Sequence, residues 1–442
     1  MSAPPSSSAV GAAAVQIHEV VPEERDGRLH ANLERPVAGE PAPGFCVPLS
    51  GWAIAPDGAH VAIDVSHGRQ VLRQLARSIE RADIAEAFPD VPGAARAGFS
   101  LLLDVLKLPP AFDLRVSGIV GEADPTPIAR VRGIRQAFEP LPIDGPAPLT
   151  VTTLGRTGST LMMTLLSVHP AIAAYNPIGY DARPFAYELE AALAMASPAS
   201  RMRLLDSAGQ GEGWWLGRET VSVEALQRLE APLRELLLGA PVEQQLREAV
   251  ERAAAFAREL SAAQERPDVR YAAEKSGPAH LPRLLRELCA DGREIFLVRD
   301  FRDVLASMLA FNAKRGFAAF GREQVDDDEQ FVRRLAGHVA ALAAGWRERR
   351  DGALLVRYEE LVADPAATLA RILDYLELES SASEVAELVE RAQALTERTR
   401  LQHRTVQETT ASTGRWQSDL PEQLQELALE LFAEPLEELG YA

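Results

Sequence analysis

Residues 149–170 limit what this chain can fold into more than any other stretch. Leu149, Val151 and Thr153 alternate along an apolar and β-branched run, the pattern of a buried strand. The run breaks at Gly155-Arg156-Thr157-Gly158, a loop with two glycines and one cation. Ser159 and Thr160 then open an apolar segment in which Leu161, Leu165 and Val168 recur at helical spacing. Strand, glycine loop and helix N-terminus together form a cradle for a phosphate-like anion. The glycines let the backbone approach the anion, and the first-turn N–H groups point at it. Arg156 adds a fixed positive charge and a fork of donors. The kinase-type loop GxxxxGK[ST] is absent here, because the loop is shorter and Gly158, not lysine, precedes Ser159. An ordinary strand-to-helix turn has the same local pattern, so the remaining chain has to decide.

The chain has 442 residues, enough for two or three domains. Its formal net charge of −18 argues against a general binder of nucleic acid or anionic membranes. An anionic ligand would need positive charge gathered locally. Cys46 and Cys289 are far apart, offer neither metal spacing nor a disulfide framework, and read as buried small apolar residues. Residues 1–15 read as a disordered Pro/Ser/Ala tail without the basic and apolar regions of a signal peptide. No apolar run approaches the ~18 residues of a membrane span. The expectation is a soluble cytoplasmic protein.

Residues 16–140 read as β-rich. Val47, Leu49, Gly51 and Ala53 alternate, Ala55-Pro56-Asp57-Gly58 signals a turn, and Val61, Ile63 and Val65 alternate again, which predicts a hairpin. Phe112, Leu114, Val116 and Gly118, then Ile128 and Val131, predict further short strands around a turn at Gly121–Pro127. Strands at this spacing suggest a small sandwich or barrel. The stretch from Arg81 to Phe99 reads as loop, and Trp52 as a core residue or, less simply, a sugar-facing one. Leu141–Pro148 is a Pro/Gly linker and the expected domain boundary. Beyond it, strand-like runs at Leu149–Leu154, Arg270–Ala273, Glu294–Val298 and Ala353–Val356 alternate with helical ones, predicting an α/β domain over 149–442 with a parallel sheet. A helical insertion is expected near 182–262. It includes Gly211-Glu212-Gly213-Trp214-Trp215, either an acceptor-site loop or tryptophans packed between helices. Asp326-Asp327-Asp328-Glu329 reads as the acidic start of a helix that runs to about Arg350, and not as a metal site.

Three more segments bear on the glycine loop. In Arg293–Gly316 a buried strand ends on Arg299, at the edge where open α/β sheets bind ligands, and Ser307 lies on the helix that follows. Leu354–Pro365 places Tyr358-Glu359 after a strand. Thr410–Leu420 carries Gly414-Arg415-Trp416 in a polar loop near the C-terminus. The order of these four segments resembles the sulfotransferases that use 3′-phosphoadenosine-5′-phosphosulfate (PAPS) as donor. The resemblance covers residues 149–420 and none of 1–140. Separately, the Gly51-Trp52 strand, the Arg81–Pro89 stretch and the Gly98-Phe99 pair resemble β-sandwich modules found beside bacterial glycosyl- and sulfotransferase domains.

The resemblance implies a P-loop-like sulfotransferase fold and sulfuryl transfer to a hydroxyl or amine, with a carbohydrate, glycolipid or other small molecule as acceptor. It implies that Arg156, Thr157, Gly158, Ser159 and Thr160 hold the 5′-phosphosulfate. Arg299 and Ser307 would then hold the 3′-phosphate, with Arg415 as a further contact, and no metal is expected. A 3′-phosphate is a dianion that ATP lacks, so an arginine and a hydroxyl can select for it. Tyr358 and Glu359 are expected to tie the strand end to the next helix, and Trp416 to pack on the loop or near the adenine. Arg156 is the match for the cation that stabilises charge on the bridging oxygen, and Lys275 would reach that oxygen or the sulfate. The base stays open. Cytosolic members carry Lys-Thr/Ser-His where this chain has Lys275-Ser276-Gly277, so Glu274 and His280 precede Asp181 as candidates. Two rivals remain: a nucleotide-dependent P-loop kinase or phosphotransferase, and a non-catalytic glycan-binding protein on the same scaffold.

Overall fold

The structure is a computed structural model and describes residues 14–23, 27–42, 44–68, 70–121, 123–175, 180–196, 230, 242–266, 268–399 and 412–441. The expected tail up to residue 13, the Gly211–Trp215 loop and most of the expected helical insertion lie outside the described residues. Of that insertion, helices Pro184–Ala196 and Val242–Ala263 are described. The chain divides into two compact units, 1–138 with 190–246, and 139–189 with 247–442.

Among its described residues the first unit carries nine strands: β1 (Val15–Pro22), β2 (His30–Arg35), β3 (Pro41–Ala42), β4 (Cys46–Ile54), β5 (Val61–His67), β6 (Gln70–Ala76), β7 (Gly98–Asp104), β8 (Ala111–Val120) and β9 (Thr126–Arg135). They form two antiparallel sheets, β3-β1-β9-β8-β5-β6 and β2-β4-β7. Both contribute to one apolar core. Val47, Leu49 and Phe99 come from the smaller sheet, and Ile63, Val65, Leu114, Val116 and Val131 from the larger. The expected hairpin between Val47–Ala53 and Val61–Val65 does not form. β4 pairs with β2 and β7, while β5 pairs with β6 and β8, so the Ala55–Gly58 turn carries the chain from one sheet to the other. Alternation identifies which face of a strand is buried, not which strand lies beside it. The 81–99 stretch, read as loop, holds a short helix, Ala82–Ala87. Trp52 is half-buried against Phe88, with ring centroids 5.9 Å apart.

The second unit is built on a five-stranded sheet ordered β11-β12-β10-β13-β14, parallel throughout: β10 (Ala147–Thr153), β11 (Ile172–Ala174), β12 (Tyr271–Ser276), β13 (Arg293–Val298) and β14 (Leu354–Arg357). Every residue of β10 is buried, as its unbroken run of apolar and β-branched residues requires. Both faces of the sheet are covered. Ile295 and Leu297 of β13 pack with Met162, Leu166 and Ile372 on one side. Phe296 and Val298 pack with Phe331, Val339 and Phe432 on the other. β11 has only three residues, too short to register as a periodic run. The acidic run does begin a helix: Asp327 accepts the Gln330 N–H at 2.8 Å, and the helix Asp328–Arg349 follows.

The order also locates a crevice. From β10 the chain leaves toward β11, and from the adjacent β13 it leaves toward β14 on the opposite side. Such a switch point opens a cleft at the carboxyl ends of the two strands. The glycine loop follows β10, and Arg299 follows β13.

Candidate functional site

The loop after β10 is tightly wound. Arg156 (φ 67°) and Gly158 (φ 88°) both lie in the left-handed region, and the helix Ser159–Ser167 starts on Gly158. At Gly158 only glycine fits, since an added Cβ would stand 2.4 Å from the Tyr358 ring. A non-glycine residue held at positive φ, as Arg156 is, marks a place where surrounding structure outweighs local strain. Thr157 is turned inward. Its hydroxyl donates to the Leu154 carbonyl at 2.8 Å and touches the Thr153 hydroxyl, and the residue is fully buried. Ser159 and Thr160 are partly exposed on the first turn.

Arg156 and Arg299 converge from the two strand ends. Arg156 Nε donates to Ser307 Oγ at 3.2 Å, and its guanidinium lies 4.7 Å from the centre of the Phe311 ring. Arg299 donates to the Arg156 carbonyl at 2.9 Å and to the Ser412 carbonyl, and sits 4.7 Å over the Tyr358 ring. Arg299 is 4% exposed, and its buried Nε has no hydrogen-bond partner among the described residues. Burial, then repulsion from Arg299, Arg415 and Arg315, brings the Arg156 pKa down to about 10, so it stays charged at neutral pH. Within a chain of net charge −18, these arginines around Ser307 concentrate positive charge at one point.

The C-terminal segment reaches the same place. The Ser412 hydroxyl lies 2.8 Å from the Tyr358 hydroxyl. Asp303, fully buried on the helix Phe301–Arg315, accepts the N–H of Gly414 at 2.7 Å and that of Trp416 at 2.9 Å. The Trp416 ring lies under the Arg302 guanidinium at 4.3 Å, and Arg302 is held by Asp300 at 2.7 Å. Glu359 ties the region together, accepting from the Asp300 N–H at 3.2 Å and from the Tyr441 hydroxyl at 2.7 Å. Arg156, Arg299, Ser307 and the Gly414-Arg415-Trp416 loop, singled out in the sequence, therefore meet. Tyr358, Phe311, Asp303 and Ser412 belong with them and were not read as such. Tyr358 had one available signal, its place directly after a strand at the carboxyl edge of the sheet.

Glu274 and Lys275 belong to a separate group at β12, level with Thr150 and Val151 and short of the loop. Lys275 pairs with Asp181 at 2.7 Å. The buried Glu274 carboxylate accepts the N–H groups of Phe185 and Ala186, each at 3.0 Å, and so caps the helix Pro184–Ala196. Tyr175 lies nearby with its hydroxyl buried and without a hydrogen-bond partner among the described residues, its pKa pushed up to about 12 by burial and then by Glu274. His280 opens the helix His280–Leu288, half-buried, beyond the end of β12. Among the described residues, no group of His, Cys, Asp or Glu is arranged to hold a metal ion, and no helix is long and apolar enough to cross a membrane.

Burial pushes the Glu274 pKa up to about 7 from 4.5, against the two N–H bonds and the Arg183 charge. Between those values the folded chain holds a proton that the unfolded chain has released. Stability therefore falls as pH rises through this window, by roughly 3 kcal/mol at most. Glu274→Gln should flatten that slope in melting curves taken from about pH 5 to pH 8. Parallel slopes for the variant and the parent would show that Glu274 is ionised throughout.

These features define an α/β protein with a cationic cleft at the switch point of a parallel sheet. The chain belongs to the sulfotransferase family, whose sequence model matches residues 148–382, just over half of its length. No curated protein matches it in sequence. Solved structures similar to it include the sulfotransferase domain of a Synechococcus olefin synthase, at 20% identity and TM-score 0.35, covering 68% of this chain and 98% of that one. A sulfotransferase from Mycobacterium avium shares 18% identity at TM-score 0.35, covering 66% of this chain and 77% of that one. A mouse sulfotransferase complexed with PAP shares 13% identity at TM-score 0.36, covering 68% and 86%.

Proposed function

We propose that the chain transfers a sulfuryl group from PAPS to a hydroxyl or amine of an acceptor, with a carbohydrate or glycolipid as the acceptor class. The observation that carries this reading is Arg299. A buried guanidinium whose Nε has no partner among the described residues, at the carboxyl end of β13 and in one cationic cluster with Arg156 and Arg415, is costly unless an anion joins it. In this reading Arg299 and Ser307 take the 3′-phosphate, with Arg415 adding charge. The backbone of residues 157–160, with the Ser159 and Thr160 hydroxyls, takes the 5′-phosphosulfate. Arg156 lies between the two groups and meets the charge that develops on the bridging oxygen. Family membership supports the donor, and the resemblance of the N-terminal module favours the acceptor class.

The group at β12 bears on the base. Glu274 is occupied by two N–H bonds to the helix it caps, and Asp181 by Lys275. His280, on the carboxyl side of β12, is then the preferred base, and Lys275 reaches the bridging oxygen or the sulfate once substrate displaces Asp181. The test is acceptor-dependent release of adenosine 3′,5′-bisphosphate from PAPS across a panel of sugars, glycolipids and small alcohols, without added metal. Release with a sugar or glycolipid supports the reading. Release only with other acceptors would overturn the acceptor class, and no release with any would overturn the activity.

A further inference from the structure

We propose that Asp303 is a positioning residue that sets the site's preference for a 3′-phosphate, by fixing the Ser412–Trp416 segment over Arg299. The inference rests on the nucleotide reading above and goes beyond it, because both Asp303 oxygens are taken up by backbone N–H groups. The argument starts from cost. A carboxylate with no exposure is retained only if its oxygens are satisfied, and burial does push the Asp303 pKa upward. Both oxygens are satisfied by one short stretch of backbone: Oδ2 by the Gly414 N–H and Oδ1 by the Trp416 N–H. Those bonds bracket Arg415, so the bracket determines where its side chain starts.

The other ties act in the same sense. Arg302, the neighbour of Asp303, covers the Trp416 ring from one side. Ser412 gives its carbonyl to Arg299 and its hydroxyl to Tyr358, whose ring lies beneath Arg299. Gly414, at φ 71°, allows the turn between these anchors. Arg415 is braced by Asp419, with Nε 2.6 Å from the carboxylate, and its charge already acts on Arg156. Asp303 sits four residues after Arg299 and four before Ser307, on the helix that carries Ser307. One buried carboxylate thus couples the strand-end arginine, the helix serine and the C-terminal arginine into a single geometry. Without it, Arg415 would lose its fixed origin while Arg299 and Ser307 remained.

The test compares affinity for adenosine 3′,5′-bisphosphate with affinity for adenosine 5′-monophosphate, by calorimetry, in the full chain. Asp303→Asn keeps the volume, but one of its two positions now presents an NH₂ to a backbone N–H. Its ratio of the two affinities should fall by about tenfold, while affinity for the monophosphate changes by less than about threefold. A loss of stability alone would leave that ratio unchanged. The double variant D303N/R415Q should lose little more of the ratio than Arg415→Gln alone, since Asp303 acts through Arg415. If Asp303→Asn does not fold, Arg302→Gln frees the Trp416 ring from the other side and must lower the ratio in the same direction. A ratio unchanged in the folded variant, or losses that multiply in the double variant, would overturn the proposal. A parent protein with no preference for the bisphosphate would instead overturn the nucleotide reading.

Discussion

Arg156→Ala should lower kcat by about 10²–10³-fold while acceptor KM changes little, the signature of an interaction made chiefly in the transition state. Arg156 is well placed for such a role. It follows β10 at the switch point, donates to Ser307 at 3.2 Å, and is braced by the Phe311 ring. Its backbone carbonyl is bonded to Arg299, so the side chain starts from a fixed position. Burial, then repulsion from neighbouring arginines, brings its pKa down to about 10, and it stays charged at neutral pH. A developing negative charge relieves that repulsion. Alanine at φ 67° meets the same backbone restriction as arginine, so the variant reports the side chain more than the fold. Arg156→Lys separates charge from geometry: it should recover part of the rate, because lysine keeps the charge but loses the planar fork. Near-normal turnover in Arg156→Ala would reject the role.

Arg349→Ala should destabilise the chain by about 3–5 kcal/mol, because it strands a buried charge. Glu294, the second residue of β13, has no exposure, and Arg349 ends the helix Asp328–Arg349 at 6% exposure. Arg349 meets both Glu294 oxygens, at 2.9 and 3.1 Å, and the Thr152 hydroxyl donates to the same carboxylate at 2.6 Å. The nearest remaining cation, Arg286, stands 3.9 Å away, too far to replace these bonds. Replacing both partners with apolar residues, as in E294L/R349M, should recover much of the loss, since the pair's cost lies in desolvation. Denaturant unfolding of the single and double variants measures this directly. A loss below about 1 kcal/mol in Arg349→Ala would mean that water or Arg286 reaches Glu294. The pair also concerns the site, because it anchors the strand whose other end presents Arg299.

The parallel sheet was legible because β10 and β13 are buried on both faces and read as continuous apolar runs. Its glycine loop was legible because two glycines and an arginine interrupt such a run. Pairing was less legible. β4 and β5 look like a hairpin by alternation and turn, yet their partners lie elsewhere in the chain, and alternation carries no information about partners. The cationic centre was half legible. Arg156, Arg299 and Ser307 stood out by their places at strand ends and on the following helix. Tyr358 read as a structural link, although its ring supports Arg299 and closes off Gly158. Asp303 lies next to Arg302 in the sequence, yet Asp300 takes Arg302 and Asp303 turns inward to backbone more than a hundred residues away. Glu274 shows the same limit: a carboxylate near a lysine and a histidine reads as a base until the helix that it caps is seen.

The central claim is that the cleft between β10 and β13 selects a nucleotide by its 3′-phosphate. Calorimetric titration of the full chain with adenosine 3′,5′-bisphosphate, adenosine 5′-monophosphate and ATP, without magnesium, tests it most directly. The account predicts tight binding of the bisphosphate and much weaker binding of the other two. Binding of none of the three, or of ATP once magnesium is supplied and not of the bisphosphate, would contradict it.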